Sequence, residues 1–140
     1  MIRLLTGSTH TGKTLLAQSL LERHGAPYLS IDHLKMGLIR SGMCPLTPES
    51  TDEALTAVLW PVVREIVKTA VENGQSLTVE GCYIPFNWRE DFDASCLPHI
   101  RFLCLVFSEA YIRTRFATIQ TPAHAIERRN DAPFRTLELL

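Results

Sequence analysis

This chain lacks several features that mark specialised classes of protein. No apolar run approaches the roughly 18 residues that a membrane-spanning helix needs, and no run of Lys or Arg exceeds the pair Arg128-Arg129. The formal net charge is −1 and the isoelectric point is near 6.5. An electrostatic surface for nucleic acid or for a membrane is therefore not expected.

The spacing of the cysteines follows no metal-binding pattern. None of the four cysteines, Cys44, Cys82, Cys96 and Cys104, forms a C-x-x-C pair, which argues against a zinc site. Cys104 lies in an apolar stretch and is expected to be a small buried side chain. The sequence runs directly into a predicted strand and leaves no room for a signal peptide. We expect one domain over residues 1–140, in the reducing cytoplasm.

A glycine-bounded loop near the N-terminus is the most informative feature present. Residues 7–14 read G-S-T-H-T-G-K-T and fit the Walker A pattern G-x-x-x-x-G-K-[ST]. The two glycines let successive N–H groups turn inward around a phosphate. Lys13 would reach the β- and γ-phosphates, and the Thr14 hydroxyl would bind Mg²⁺. The predicted nucleotide-binding residues are Gly7, Ser8, Thr9, His10, Thr11, Gly12, Lys13 and Thr14, although the His10 side chain is assigned no role.

Strands and helices are predicted to alternate along the chain. Pro61 interrupts a long apolar periodicity and predicts a kink or break near Leu59-Trp60. The start of that helix is left open between Thr47-Pro48 and a capping box at 50–53. The other elements are strands over 2–6, 28–31, 76–80 and 100–107, and helices over 13–24, 33–40, 109–119 and 121–129, with one helical turn around 87–92.

This alternation predicts an α/β protein with the three-layer fold of P-loop NTPases. We expect a mainly parallel sheet of about four strands covered by helices. Right-handed crossovers would place the loop at 7–14 and the C-terminal ends of the strands on one edge, where ligands bind. The candidate site is therefore expected at that edge.

Two acidic residues end predicted strands at this edge. Asp32 follows the second strand and Glu80 ends the third. Phosphoryl transfer needs one carboxylate to hold Mg²⁺ or its waters and often another to orient or deprotonate the attacking hydroxyl. The residues do not say which carboxylate does which. Asp32 could instead be a plain helix N-cap, and Glu80 a solvated strand end.

Basic residues that could close over a transferred phosphate follow the fourth strand. Guanidinium groups suit a phosphoryl group that spreads charge over three oxygens. Arg113 and Arg128 are the candidates taken as catalytic, although a solvated helix face is the more usual place for any single arginine of this group. Lys35 and Arg40 could meet an anionic acceptor or lie on the surface. Tyr83 belongs to a group of aromatic residues that are expected to pack in the core or in a lid.

The chain resembles the small P-loop kinases of the adenylate-kinase-like type. The matching residues are 7–14, then S-I-D-H-L at 30–34 and T-V-E-G at 78–81. The segment E-G-C-Y-I-P at 80–85 is similar to one in 2-phosphoglycerate-kinase-like and zeta-toxin-like ATP-binding proteins. The resemblance covers residues 1 to about 130.

The resemblance implies phosphorylation of a small-molecule hydroxyl or phosphate acceptor with ATP and Mg²⁺. Asp32 would face the acceptor, and Glu80 would be the Walker-B-like acid that shares the metal with Thr14. Helices over about 33–60 would form an acceptor-binding insert, and a lid-like region would cover about 109–130. Such kinases continue into a fifth strand and a last helix, which are not expected before Leu140.

Three functions are consistent with these patterns. The first is a small-molecule kinase, and the second is a nucleotide-binding module that acts through a partner without turnover. The third is a toxin-like kinase acting on a sugar nucleotide. Without a GTPase-type base-recognition motif, ATP is the expected nucleotide. An uncovered sheet edge could also pair copies of the chain.

Overall fold

The computed structural model describes the backbone of residues 1–120 and the side chains of residues 1–115. The described part contains four strands and four α-helices, and two short 3₁₀ turns cover Trp88–Asp91 and Leu97–His99. The strands are β1 (Ile2–Gly7), β2 (Tyr28–Ser30), β3 (Leu77–Glu80) and β4 (Ile100–Leu105). The helices are α1 (Lys13–His24), α2 (Ile31–Arg40), α3 (Asp52–Glu72) and α4 (Glu109–Gln120).

The strands form one parallel sheet in the order β2-β3-β1-β4. Leu5 of β1 lies beside Glu80 of β3, and Ser30 of β2 lies on the other side of Glu80. The C-terminal ends of β1, β2 and β3 therefore meet at one edge, and the loop at 7–14 leaves that same edge. The predicted α/β fold with a four-stranded parallel sheet is confirmed.

The main core lies between one face of the sheet and helix α3. Leu55, Leu59, Val63 and Val67 recur along α3 at helical spacing and are at most 1% exposed. They belong to one cluster with the strand residues Ile2, Leu4 and Val79. Burying a side chain of this size contributes about 1.5–3 kcal/mol, so α3 is held on the sheet mainly by this stripe.

Helix α3 runs from Asp52 to Glu72 with Pro61 inside it, so the break that was one of the expected outcomes near Leu59-Trp60 does not occur. Pro61 lies on the exposed side, while Leu59 and Val63 stay packed on the core, so tertiary packing outweighs the lost hydrogen bond. Of the two predicted starts, the structure uses the segment at 50–53. Within it the Thr51 hydroxyl caps the helix by accepting a 3.3 Å hydrogen bond from the N–H of Ala54.

Helix α2 begins earlier than expected, which changes the position of Asp32. Strand β2 ends at Ser30, the N-cap residue of α2, and the helix starts at Ile31. Ile31 is fully buried, so its packing in the core pulls the start of the helix forward. Asp32 is therefore the second residue of the helix and not its N-cap.

Strand β4 is apolar in sequence but incompletely covered. It is one of the two edge strands of the described sheet, and Trp88 stacks on Phe102 at 5.8 Å between ring centroids. Leu103 is 44% exposed and Cys104 is exposed. The expectation that Cys104 is buried was wrong, because the covering around Trp88 ends short of this position.

None of the described helices is long and apolar enough to cross a membrane. Helix α4 confirms the predicted helix that follows Ser108. The further helix predicted over 121–129 lies outside the described residues.

Candidate active site

The loop between β1 and α1 has the backbone shape that Walker A sequences need. Gly7 has φ 139° and Gly12, the N-cap residue of α1, has φ 85°. A Cβ at Gly7 would overlap the carbonyl oxygen of Leu105 in the neighbouring strand. Non-glycine residues rarely adopt such angles, so both glycines are required for the turn.

The N-terminus of helix α1 is open to an anion. Its N-cap offers no side-chain oxygen to the backbone N–H groups, and its first turn contains no acidic residue. Helices α2 and α3 differ, because Asp32 and the pair Asp52 and Glu53 lie in their first turns. The free amides and the positive end of the helix dipole favour a bound phosphate at α1.

Lys13 is folded back on this loop. Its Nζ donates hydrogen bonds to the carbonyl oxygens of Gly7 at 2.9 Å and of Ser8 at 2.7 Å. The residue is only 3% exposed. The ammonium group therefore lies within the loop, at the place where a phosphate would replace the carbonyl oxygens as its partner.

Thr14 and Glu80 meet across the loop. The Thr14 hydroxyl donates a 3.3 Å hydrogen bond to Oε1 of Glu80, which is fully buried. The interpretation of Glu80 as a solvated strand end was therefore wrong. A hydroxyl and a carboxylate about 3 Å apart fit two neighbouring positions of an octahedral Mg²⁺.

Magnesium in phosphotransferases usually keeps several waters and binds one or two protein oxygens together with substrate phosphates. Among the described residues, no group of three or more His, Cys, Asp and Glu side chains could hold a metal alone. Thr14 and Glu80 thus suit a metal that arrives with a nucleotide.

Asp32 lies at the same edge and is paired with a lysine. Oδ1 of Asp32 is 2.9 Å from Nζ of Lys35, one turn further along α2. The same Nζ donates a 3.0 Å hydrogen bond to the hydroxyl of Tyr83. Burial lowers the pKa of Lys35, but the contacts with Tyr83 and Asp32 outweigh it and raise that pKa above its usual value. Lys35 is therefore a permanent cation beside Asp32.

Cys82 lies against the start of the loop at 7–14. Its Sγ donates to the carbonyl oxygen of Gly7 at 3.5 Å. Burial raises the pKa of the Cys82 thiol, and the nearby charges of Lys13 and Asp32 act on it in opposite directions. The thiol therefore stays protonated at neutral pH, and it senses the charges of both Lys13 and Asp32.

Arg113, one of the arginines expected in a lid, is paired with a residue of its own helix. Arg113 on α4 donates to Oε1 of Glu109 at 2.7 Å, and both side chains are more than two-thirds exposed. Its assignment as catalytic stays a prediction, as does that of Arg128, which lies outside the described residues.

Sequence reasoning missed two members of the site. Tyr83 was grouped with packing aromatics, and Cys82 was not assigned to the site at all. They lie two and three residues after Glu80 in the sequence, and their closeness to a predicted strand end was the signal that could have found them.

Comparison with known proteins supports the fold. No protein-family model and no curated protein matches the sequence. A gluconokinase from Sinorhizobium meliloti 1021 is similar in structure, with a TM-score of 0.50 and 19% identity over 89% of this chain and 77% of that one. A sugar kinase from Janibacter sp. HTCC2649 gives a TM-score of 0.54 and 18% identity over 98% of this chain and 72% of that one.

The chain has the three-layer α/β fold of P-loop NTPases, which it shares with these two proteins. The loop at residues 7–14 lies at the edge of the sheet where ligands bind in open parallel α/β sheets. At these identities the likeness concerns the fold alone. The reaction and its substrates are therefore argued from the site.

Proposed function

We propose that this protein transfers the γ-phosphoryl group of ATP, with Mg²⁺, to a hydroxyl or phosphate group of a small-molecule acceptor. The observation that carries the proposal is the contact between Thr14 and the buried Glu80, at the end of the loop that holds the amine of Lys13. A phosphate-binding lysine and two metal-binding oxygens are the parts that such transfer requires. Thr14 and Glu80 would hold Mg²⁺, which neutralises charge on the phosphate oxygens when bound.

For a hydroxyl acceptor, the reaction replaces one bond to phosphorus with another. The acceptor oxygen bonds to the γ-phosphorus, while the bond from that phosphorus to the bridging oxygen breaks. ADP leaves with the electron pair of the broken bond, and the hydroxyl proton passes to the carboxylate of Asp32. Lys13 binds the β- and γ-phosphates through this step, and the amides at the start of α1 hold the anion in place.

We assign the two carboxylates by their partners. Glu80 contacts the Walker A hydroxyl and is assigned to the metal. Asp32 lies on helix α2 beside Lys35 and is assigned to the acceptor. This division is the one implied by the resemblance to adenylate-kinase-like, 2-phosphoglycerate-kinase-like and zeta-toxin-like proteins, and we propose that subtype for this chain.

We further propose an acceptor-binding insert over about 33–60 and a lid over about 109–130 that brings Arg113 and Arg128 to the phosphates. The two structural neighbours are a gluconokinase and a sugar kinase, so polyhydroxylated compounds are the first acceptors to test. All four cysteines are free thiols, which supports a proposed site of action in the reducing cytoplasm. Pairing of copies through the outer edge of the sheet remains a prediction.

The test is ADP release from Mg·ATP, measured with and without pools of hydroxylated and phosphorylated small molecules. Lys13→Met is the inactive variant, and Lys68→Met on helix α3 is the matched control for loss of a lysine. ADP release that rises with a pool, persists in Lys68→Met and vanishes in Lys13→Met supports a kinase. ATP binding without any turnover would overturn the proposal and favour a nucleotide-binding module that acts through a partner.

A further inference from the structure

Lys35 joins two parts of the site that are distant in sequence. Its ammonium group contacts Asp32 in the first turn of α2 and Tyr83 in the loop after β3. The Lys35 and Asp32 side chains are only 13% and 23% exposed, so water competes weakly for their contact. Ion pairs on an exposed surface contribute little stabilisation. The pair of Lys35 and Asp32 is instead partly buried, and Tyr83 also hydrogen-bonds to the lysine.

The protonation states of Lys35 and Tyr83 are fixed at neutral pH. The contacts with Tyr83 and Asp32 raise the pKa of Lys35 despite its burial, so the amine does not lose its proton. Burial raises the pKa of Tyr83 as well, although Lys35 opposes this change, so the phenol keeps its proton. Lys35 therefore always has a neutral hydroxyl on one side and Asp32 on the other.

The loop that contains Tyr83 is itself held against helix α2. A Cβ at Gly81 would lie 2.8 Å from the Cβ of Ile31, so the backbone after Glu80 packs directly on the start of α2. Ser30 and Glu80 are paired in the sheet. The first turn of α2 and the loop after β3 are thus fixed relative to each other, and Lys35 bridges two parts of one rigid frame.

We propose that Lys35, held by Tyr83, is a positioning residue that keeps the Asp32 carboxylate in place for the acceptor hydroxyl. The inference rests on the proposed phosphoryl transfer. Lys35 acts through Asp32 and does not touch the phosphates. A carboxylate that orients a hydroxyl must be held within a few tenths of an ångström, since a misplacement of about 1 Å costs about 10²-fold in rate.

The chain contains a matched control for this pair. Lys68 and Glu65 on helix α3 have the same three-residue spacing, with Nζ 3.1 Å from Oε1. The Glu65 side chain is 57% exposed, and neither residue has been placed in the active site. Lys68→Met therefore removes only an ion pair within a helix. Lys35→Met removes an ion pair of the same spacing and, in addition, the contact proposed to position Asp32.

The first experiment measures phosphorylated acceptor and released ADP separately in both variants. For Lys35→Met we expect acceptor phosphorylation at saturating substrates to fall by about 10–100-fold, with an unchanged KM for ATP. The share of ADP released without phosphorylation of the acceptor should rise, because water then attacks the γ-phosphorus in place of the misplaced hydroxyl. Tyr83→Phe should give a smaller change in the same direction, and Lys35→Arg should restore part of the rate.

Two kinetic results would overturn the inference. An unchanged kcat with a raised KM for the acceptor would make Lys35 a group that binds the acceptor directly. Equal kinetic effects of Lys35→Met and Lys68→Met would show that the pair of Lys35 and Asp32 has only a structural role. Both results assume a measurable turnover in the unchanged protein.

A second measurement does not depend on activity. Thermal unfolding of Asp32→Asn, Lys35→Met and the double variant is compared with the same cycle for Glu65→Gln and Lys68→Met. We expect the losses of Tm to be clearly non-additive for the first pair and close to additive for the second. Additive losses for Asp32 and Lys35 would overturn the positioning contact itself. Non-additive losses in a protein without any turnover would instead overturn the proposed function, and with it the role in positioning.

Discussion

The Thr14 hydroxyl and the Glu80 carboxylate form a 3.3 Å hydrogen bond although 66 positions separate them in the chain. The contact joins the first turn of α1 to the end of β3, and it is made because β1 and β3 are neighbouring parallel strands. Both oxygens are typical magnesium ligands. The contact also suggests a substitution of Glu80 that keeps the shape of the side chain and removes only its negative charge.

Glu80→Gln should impair metal-dependent turnover more than nucleotide binding. The amide keeps the volume of the buried side chain but removes its negative charge, which is the property that Mg²⁺ requires. We expect turnover to fall by about 10²–10³-fold, while ATP affinity without Mg²⁺ changes far less. Calorimetric titration with and without Mg²⁺, together with ADP release, measures both quantities. Glu65→Gln is the control, and equal losses in both assays would contradict a metal role.

Lys13→Met should abolish turnover and leave the fold largely intact. The lysine is buried, but its two hydrogen bonds are to carbonyl groups of its own loop, and methionine keeps the apolar stem. We expect a loss of about 10²-fold or more in ADP release with a Tm shift of only a few degrees. Differential scanning fluorimetry without ligand checks the second part. A collapse of the folded state would show that the lysine is mainly a core residue.

Asp91 should stabilise the segment that covers strand β4. Its Oδ2 accepts a 2.7 Å hydrogen bond from Nε1 of Trp60, and its Oδ1 contacts Arg64 at 3.1 Å. Asp91→Ala leaves the indole N–H of Trp60, which is only 5% exposed, without this partner. We expect a loss of about 1–3 kcal/mol in the free energy of unfolding, measured with urea. Arg64→Met removes only the ion pair and should cost less, and the reverse order would contradict this account.

The cysteines should differ in their rate of alkylation. Burial raises the pKa of Cys82, so at a given pH less of it is the reactive thiolate, and its sulfur is also shielded. Cys104 is exposed and should react first with iodoacetamide at pH 8. Mass spectrometry of timed samples gives the order, and Cys104→Ser should remove the fast phase. A fast phase that persists and maps to Cys82 would show that the loop at 7–14 opens readily.

The loop at residues 7–14 and the order of the elements could be predicted because they depend on local physics. Glycines at fixed positions, a following helix and alternating apolar segments leave few other conformations for the backbone. The parallel sheet followed from the same alternation. Helix boundaries were less predictable, since the burial of Ile31 and of the stripe on α3 decided where α2 begins and why Pro61 does not break α3.

The sequence by itself therefore determined that residues 7–14 form a glycine-bounded loop between a strand and a helix, and that Asp32 and Glu80 come to the same edge of a sheet. Only the tertiary structure decided what each of these side chains contacts. Glu80 meets Thr14 because β3 lies beside β1, and Asp32 meets Lys35 because the helix starts at Ile31. Tyr83 and Cys82 join the site through a loop whose path no periodicity predicts, since packing across the sheet sets it.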